Sequence, residues 1–357
     1  MSEPILVEAE ALRDFTARAF VTAGVPADEA RIAADVLVTA DLRGVDSHGV
    51  ARLHHYLARI EKGLVAPTAP LTIVRERPTA LTIDAGNGLG LVTAYRAMEL
   101  ALERAARYGS AAVAVRHSNH FGIAGYFAMM ALPHDMIGLA MCNASPTVVP
   151  FGGREPMLGT NPIAWAIPCG EEPAVVADMA TSGVSYGKLE VARRTGAAIP
   201  VGWALGADGA PTTDPAEAMQ IRSILPLGGL VEGTGYKGYA LATVVEALCH
   251  ALSGAAMSRE IVAVQGRGEQ PSNIGHFFAA YAVDAFRPLA EFKAEMDRLV
   301  RTLRSCPPQD GAGPVRIPGE KEHRTTLQRS RDGIPLHPAV VATLQRIAAE
   351  RGIEPAW

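Results

Sequence analysis

The feature that most constrains this chain is a change of hydrophobic period, helical near both ends and broken into short β-rich runs between them. Near the N-terminus Leu12, Phe15 and Ala19 recur at helical spacing, and Gly24 closes the pattern. Pro26 opens a second helix with Asp28 and Glu29 in its first turn, where the macrodipole favours acids, and Ile32, Val36 and Ala40 continue it. A third helix is expected from Asp46 or Ser47, either of which can cap it. After Pro70 the runs 80–83, 111–115, 137–142, 163–167 and 174–177 read as strands and 92–107 as a helix, an α/β signature. Leu241, Val244, Val245, Leu248 and Leu252 predict a buried helix ending at Gly254, and 277–283 predicts another strand. From Phe286 the helical period returns through Leu289, Phe292, Met296, Leu299 and Leu303, with a last helix over 338–351. A chain of 357 residues exceeds the usual single core. The expected organisation is therefore a helical domain built from residues 1–74 and 286–357 around an α/β middle, 75–285.

Charge and composition narrow the function. A net charge of -4 without a basic block argues against nucleic acid, and no run approaches the roughly 18 apolar residues needed to span a bilayer. The first residues carry Glu3, Glu8, Glu10 and Asp14 rather than a basic, then apolar, leader. Cys142, Cys169, Cys249 and Cys306 are scattered without CxxC spacing, so reduced core thiols in the cytoplasm are expected.

Two polar clusters carry chemistry. On a helical wheel over 47–64, Val50, Leu53, Leu57 and Ile60 fall on one side and His48, Arg52 and His55 on the other. A hydroxyl (Ser47), an imidazole and a guanidinium on one face suit a carboxylate-bearing substrate. Arg grips the carboxylate at two points, a helix N-terminus adds its preference for anions, and His exchanges a proton. The alternative is a solvated helix face. The second cluster, Arg116-His117-Ser118-Asn119-His120-Phe121-Gly122, follows a strand, where ligands bind in open α/β sheets. Here His117 reads as a satisfied loop residue and His120 as the candidate. A zinc site from His48, His117 and His120 lacks any HExxH or Cys/His signature, so no metal is expected. The turn Gly86-Asn87-Gly88-Leu89-Gly90 follows a strand and precedes a helix. Its spacing is GxGxG, and the next strand ends in Arg116 rather than an acid, so a Rossmann site is disfavoured.

Seven motifs in order resemble the malate/L-lactate dehydrogenase family that is distinct from the Rossmann-type lactate and malate dehydrogenases. They are Asp41-Leu42-Arg43-Gly44-Val45-Asp46-Ser47-His48-Gly49, Ser118-Asn119-His120-Phe121-Gly122, Gly159-Thr160-Asn161-Pro162, Asp178-Met179-Ala180-Thr181-Ser182, Gly235-Tyr236-Lys237-Gly238-Tyr239, Gly275-His276-Phe277-Phe278 and Pro318-Gly319-Glu320. The resemblance implies a non-Rossmann nicotinamide-binding α/β domain with a mixed seven-stranded sheet, a helical domain from both chain ends, and a homodimer. It implies an oxidoreductase using NAD or NADP to interconvert a small 2-hydroxy acid and its 2-oxo partner. Reduction of a cyclic imine carboxylate is the alternative. By the same resemblance Ser47, Arg52 and Thr160 meet the substrate, and the proton is exchanged by the SNHFG histidine, here His120 with His48 beside it, or alternatively by the DSHG histidine, here His48. Asp178 then orients the histidines or touches the cofactor. Ser145, Asp178, Met179, Ala180, Lys237, His276, Phe277, Gly319 and Glu320 line the cofactor. Arg193 and Arg194 either meet a 2′-phosphate or form a solvated helix face. Walls near Tyr56, Phe127 and Thr160 are expected to choose the acid. A hydrolase is disfavoured, since no GxSxG elbow is present.

Overall fold

A short strand, β1 (Ile5–Val7), precedes α1 (Ala9–Thr22) and α2 (Ala27–Leu42) in the computed structural model, which describes residues 4–68, 71–262, 270–355 and 357. The expected third helix is instead two 3₁₀ turns, Asp46–His48 and Val50–Arg52, followed by α3 (Leu53–Glu61). Asp41 is the physical reason. Its buried carboxylate accepts the Val50 N–H at 2.8 Å, and a Cβ at Gly49 would lie 1.9 Å from its Oδ1. The chain must therefore bend at a glycine to let an aspartate cap the second turn. Neither Asp46 nor Ser47 caps a helix.

The middle begins with β2 (Thr72–Arg77), β3 (Ala80–Asp84), α4 (Gly90–Tyr108), β4 (Ser110–Ser118), α5 (Ala124–Met129) and β5 (Met136–Cys142). It continues with β6 (Ile163–Ile167), β7 (Val175–Met179), α6 (Tyr186–Thr195), the small ribbon β8 (Ala204–Leu205) and β9 (Pro211–Thr212), α7 (Pro215–Ile221), α8 (Gly235–Glu246) and β10 (Ile274–Ala282). The C-terminal part is α9 (Leu289–Arg304), α10 (Glu320–Asp332), β11 (Ile334–Leu336) and α11 (Pro338–Arg351). The ends meet: β1 pairs with β11, and α11 packs against α1 and α3.

Seven strands form one mixed sheet in the order β2-β3-β4-β10-β5-β6-β7. Only β3 and β4 pair in parallel, joined through α4; the remaining neighbours are antiparallel. This is not a doubly wound sheet. Because β10 runs against both β4 and β5, and β6 reverses once more, the C-terminal ends of β4, β5 and β7 share one edge. The starts of β6 and β10 lie at the same edge. The glycine-rich turn serves packing: a Cβ at Gly90 would lie 2.1 Å from the Asn119 carbonyl, so α4 docks there only through glycine.

Two helices are less buried than their apolar spacing predicts. The segment after α8 (247–252) continues as π-helical turns, and Val244 and Leu252 are exposed. On α9, Leu299 and Leu303 are each 48% exposed while Asp297 is buried. Asp297 accepts the N–H groups of Gly170, Glu171 and Glu172, so the helix docks on the β6–β7 turn through a carboxylate rather than through its leucines. Among the described residues no helix is long and apolar enough to cross a membrane.

Candidate active site

The shared strand edge opens into a cleft of about 660 Å³. His120 and Phe121 follow β4, Cys142 to Ser145 end β5, Thr160 precedes β6, Asp178 to Ala180 end β7, and Ile274 starts β10; all line it. The opposite lip comes from the two 3₁₀ turns and α3, which contribute Ser47, His48, Arg52, His55 and Tyr56. The wheel thus grouped the right side chains on the wrong element. Since α3 begins only at Leu53, no α-helix N-terminus stands at Ser47 to attract an anion.

His48 and His120 face each other with ring centroids 5.7 Å apart and planes 21° from parallel. His48 Nδ1 is 2.9 Å from Ser47 Oγ. His120 Nδ1 is 2.6 Å from Tyr56 Oη and 3.3 Å from the Gly122 nitrogen, leaving Nε2 without a protein partner among the described residues. Burial, aided by Arg52, pulls the His48 pKa down to about 4. Burial, then the charges of His48 and Arg52, pull His120 well below the ordinary imidazole range. Both rings are therefore neutral near pH 7, able to accept a proton rather than already holding one. Arg52 donates its Nε to the Ser47 carbonyl at 2.7 Å, which fixes the side chain and leaves the terminal nitrogens for a ligand.

The other wall carries opposed charges. Asp178 accepts the Gly125 N–H at 2.8 Å, and a Cβ at Gly125 would fall 2.6 Å from the same oxygen. Its carboxylate caps the first turn of α5 and makes no hydrogen bond to either histidine, so the expectation that it orients the pair is corrected. Burial raises the Asp178 pKa, opposed by the Gly125 N–H and by Arg43. Arg43 and Glu322 also line this end.

Of the residues expected to line the cofactor, Ser145, Asp178, Met179, Ala180 and Gly319 lie in the cleft, as do Thr160 and Tyr56. Four do not line it. His276 is fully buried, stacked on Phe121 at 4.8 Å, with Nε2 2.8 Å from Ser118 Oγ. Phe277 points to the other face of β10, toward Val245 and Cys249. Glu320 pairs with Arg324 at 2.6 Å and Arg304 at 3.2 Å, and exposed Lys237 lies over the Tyr236 ring. Phe127 is buried among Phe121, Tyr126 and Phe278 rather than forming a wall. His117 pairs with Asp84 at 2.9 Å outside the cleft, and Arg193 and Arg194 sit in the last turn of α6, also outside its lining.

Sequence reasoning missed a buried hub behind the cleft. Four donors converge on Glu246 of α8: Ser258 N–H and Oγ at 2.6 Å each, Asn161 Nδ2 at 2.9 Å and Asn143 Nδ2 at 3.4 Å. Asn143 and Asn161 use their oxygens to hold the Gly275 and Ala144 N–H groups. A carboxylate offers acceptors only, so it satisfies four donors at once and fixes the loop bearing Ser145 and the one bearing Thr160. Such a hub leaves no periodic signal, and α8 read as an apolar helix. Arg222, Arg43 and Tyr186 were likewise missed, although the first motif contained Arg43.

The family profile described as malate/L-lactate dehydrogenase matches residues 7–345. Malate dehydrogenase of Pyrococcus abyssi is 41% identical over 98% of this chain and 96% of its own length. L-sulfolactate dehydrogenase of Methanocaldococcus jannaschii is 39% identical over 92% of each. Among solved structures, malate dehydrogenase from Pyrococcus horikoshii OT3 superposes with a TM-score of 0.91 at 39% identity, covering 99% of this chain and 97% of that one.

Proposed function

The chain belongs to the malate/L-lactate dehydrogenase family and is an oxidoreductase acting on CH–OH donors; from that premise we propose that it interconverts a small 2-hydroxy acid and its 2-oxo partner with NAD or NADP. One observation carries this reading: two near-parallel neutral imidazoles stand beside an anchored arginine in one cleft.

Arg52 holds the substrate carboxylate at two points, fixing which face of C2 is presented. His120 takes the hydroxyl proton on Nε2 in the tautomer whose Nδ1 proton goes to Tyr56 Oη at 2.6 Å, the 3.3 Å contact with the Gly122 N–H being given up in that tautomer. His48, held by Ser47, stands near-parallel to the same ring at 5.7 Å between centroids. In the reverse direction His120 returns the proton to the oxo oxygen. The cleft suits a nicotinamide: its volume falls in the usual range of about 300–1,000 Å³ for small-molecule sites, and Ile123, Ile274 and Val176 give apolar walls beside the Ser145 and Thr160 hydroxyls. Ser145, Asp178, Met179, Ala180 and Gly319 would hold it. When bound, it supplies the hydride acceptor or donor. No metal enters this scheme. We further propose a homodimer working in the cytoplasm, with the two chain ends as one helical unit apart from β2, which belongs to the sheet, and α9, which docks on the β6–β7 turn. The β1–β11 pairing supports the helical unit, and the exposed apolar residues Phe286, Leu299 and Leu303 support the homodimer.

The test follows oxidation of NADH and NADPH against oxaloacetate, pyruvate and piperideine-2-carboxylate. Turnover with an oxo acid is expected. Turnover with the imine alone would replace the substrate class, and failure to bind either cofactor would overturn the reading.

A further inference from the structure

Three arginines line the cleft, and their surroundings differ. Arg43 has the carboxylates of Asp178 and Glu322 acting on it. Arg52 is tied to the Ser47 carbonyl and, in the proposed function, is assigned to the carboxylate next to the reacting carbon. Arg222 has no carboxylate within ion-pair distance among the described residues. The nearby acid Glu217 is occupied by the Ala207 N–H and the Thr212 hydroxyl.

The contacts of Arg222 leave bonding capacity unused. One terminal nitrogen reaches Ser145 Oγ at 3.5 Å, the guanidinium lies 5.9 Å from the Tyr186 ring, and Nε is buried without a hydrogen-bond partner. A half-buried arginine whose Nε is buried and unpaired is a poor resting arrangement, and an anion in the cleft would complete it. Its backbone points the same way. Arg222 closes α7 with φ 60° and ψ 41°, a left-handed position where glycine is ordinarily used. The turn would accept glycine more readily, so it is the side chain that gives arginine a purpose there.

Position then selects the anion. The ring beneath Arg222 belongs to Tyr186, and a Cβ on the next residue, Gly187, would stand 3.8 Å from Ser47 Cβ. The Arg222 wall therefore adjoins the lip that carries Ser47 and Arg52. Two fixed cations on adjoining walls match a small molecule with an acid at each end.

We propose that Arg222 forms a second anion subsite that reads a distal acidic group, carboxylate or sulfonate, on the substrate, with Ser145 remaining a cofactor contact. This rests on the 2-hydroxy acid reading of the same cleft. A dianionic acid is then preferred over its monoanionic analogue.

The test uses succinate and butyrate, equal in carbon number and differing by one carboxylate, titrated calorimetrically into the protein with and without bound NADH or NADPH. The wild type is expected to bind succinate about tenfold to a hundredfold more tightly, the range for one charge-assisted hydrogen-bonded group. In Arg222→Gly, a variant the left-handed turn accommodates, that preference should collapse, with Arg222→Lys retaining part of it. Equal affinities in the wild type, or an undiminished preference in R222G, would overturn the proposal. So would R222G weakening NADH or NADPH binding with the succinate preference intact, because the anion would then be a cofactor phosphate. These readouts require no turnover. Failure of every oxo acid to react, with the succinate preference present, would count against the proposed function and leave the subsite standing.

Discussion

Two histidines leave the same strand three residues apart and meet opposite fates. His117, in the left-handed region at φ 52°, turns toward Asp84, with Nδ1 2.9 Å from a carboxylate that Arg116 also contacts at 3.1 Å. Burial works to raise the Asp84 pKa, but the Gly86 N–H, His117 and Arg116 outweigh it and hold the group below the usual carboxylate range. His120 turns inward to a phenol, and among the described residues no carboxylate reaches its ring. The difference teaches what makes an imidazole useful here. A carboxylate partner at the surface occupies the ring in a hydrogen bond, whereas burial against Tyr56 and His48 keeps it neutral with one nitrogen free.

The largest expected effect would break that division outright. His120→Ala should lower kcat by about a hundredfold to ten-thousandfold, the usual contribution of a positioned acid/base, with cofactor affinity retained. Near-native turnover in stopped-flow assays would transfer the role to His48. Tyr56→Phe removes the acceptor for Nδ1 and should cost about tenfold in kcat, the scale of one hydrogen bond to a group that becomes charged. Because the imidazolium loses its partner too, the acidic limb of the kcat/KM profile should move; an unchanged profile would make Tyr56 a packing residue only.

Stability should record the same contrast. His48 and His276 are pulled down by burial to about 4 and about 3, while an unfolded imidazole titrates near 6.5. The sign follows: their contribution is complete above about pH 6.5 and is lost as pH falls toward 4, since only the unfolded chain takes up those protons. The slope is up to about 1.4 kcal/mol per pH unit for each ring kept neutral. Urea midpoints at pH 7, 5.5 and 4.5 should fall in that order, and a flat series would contradict neutral, buried rings. The smallest effect is expected from His117→Asn. Asparagine tolerates the left-handed backbone, and the ring it removes lies outside the cleft. Turnover within about twofold of wild type is expected, the scale of an ordinary surface change. A loss comparable to that of His120→Ala would erase the distinction between the two residues.

Much of this was legible in the chain. The helical ends, the α/β middle and strands β3 to β7 and β10 announce themselves through hydrophobic period, and the cleft histidines and Arg52 through clustered chemistry at a strand end. What was misread shares a cause. The third helix failed because Asp41, nine residues upstream and outside the wheel, caps Val50. Lys237, His276, Phe277 and Glu320 lie in motifs that match the family. Where their side chains point depends on strand register and ion pairs that the motifs do not encode. The short pairs β1–β11 and β8–β9 have too few residues to show a period.

Which residues could do chemistry and which segments could be helix or strand is written along the chain, because both are properties of side-chain type and local spacing. Only the tertiary structure decided which of those residues meet. By reversing β10 between β4 and β5, the sheet brings three strand ends to one edge. There the same imidazole becomes a carboxylate-bound surface group at His117 or a neutral base in the cleft at His120. Solvent exclusion and partner geometry are set by residues far apart in the chain, and local sequence carries no record of that distance.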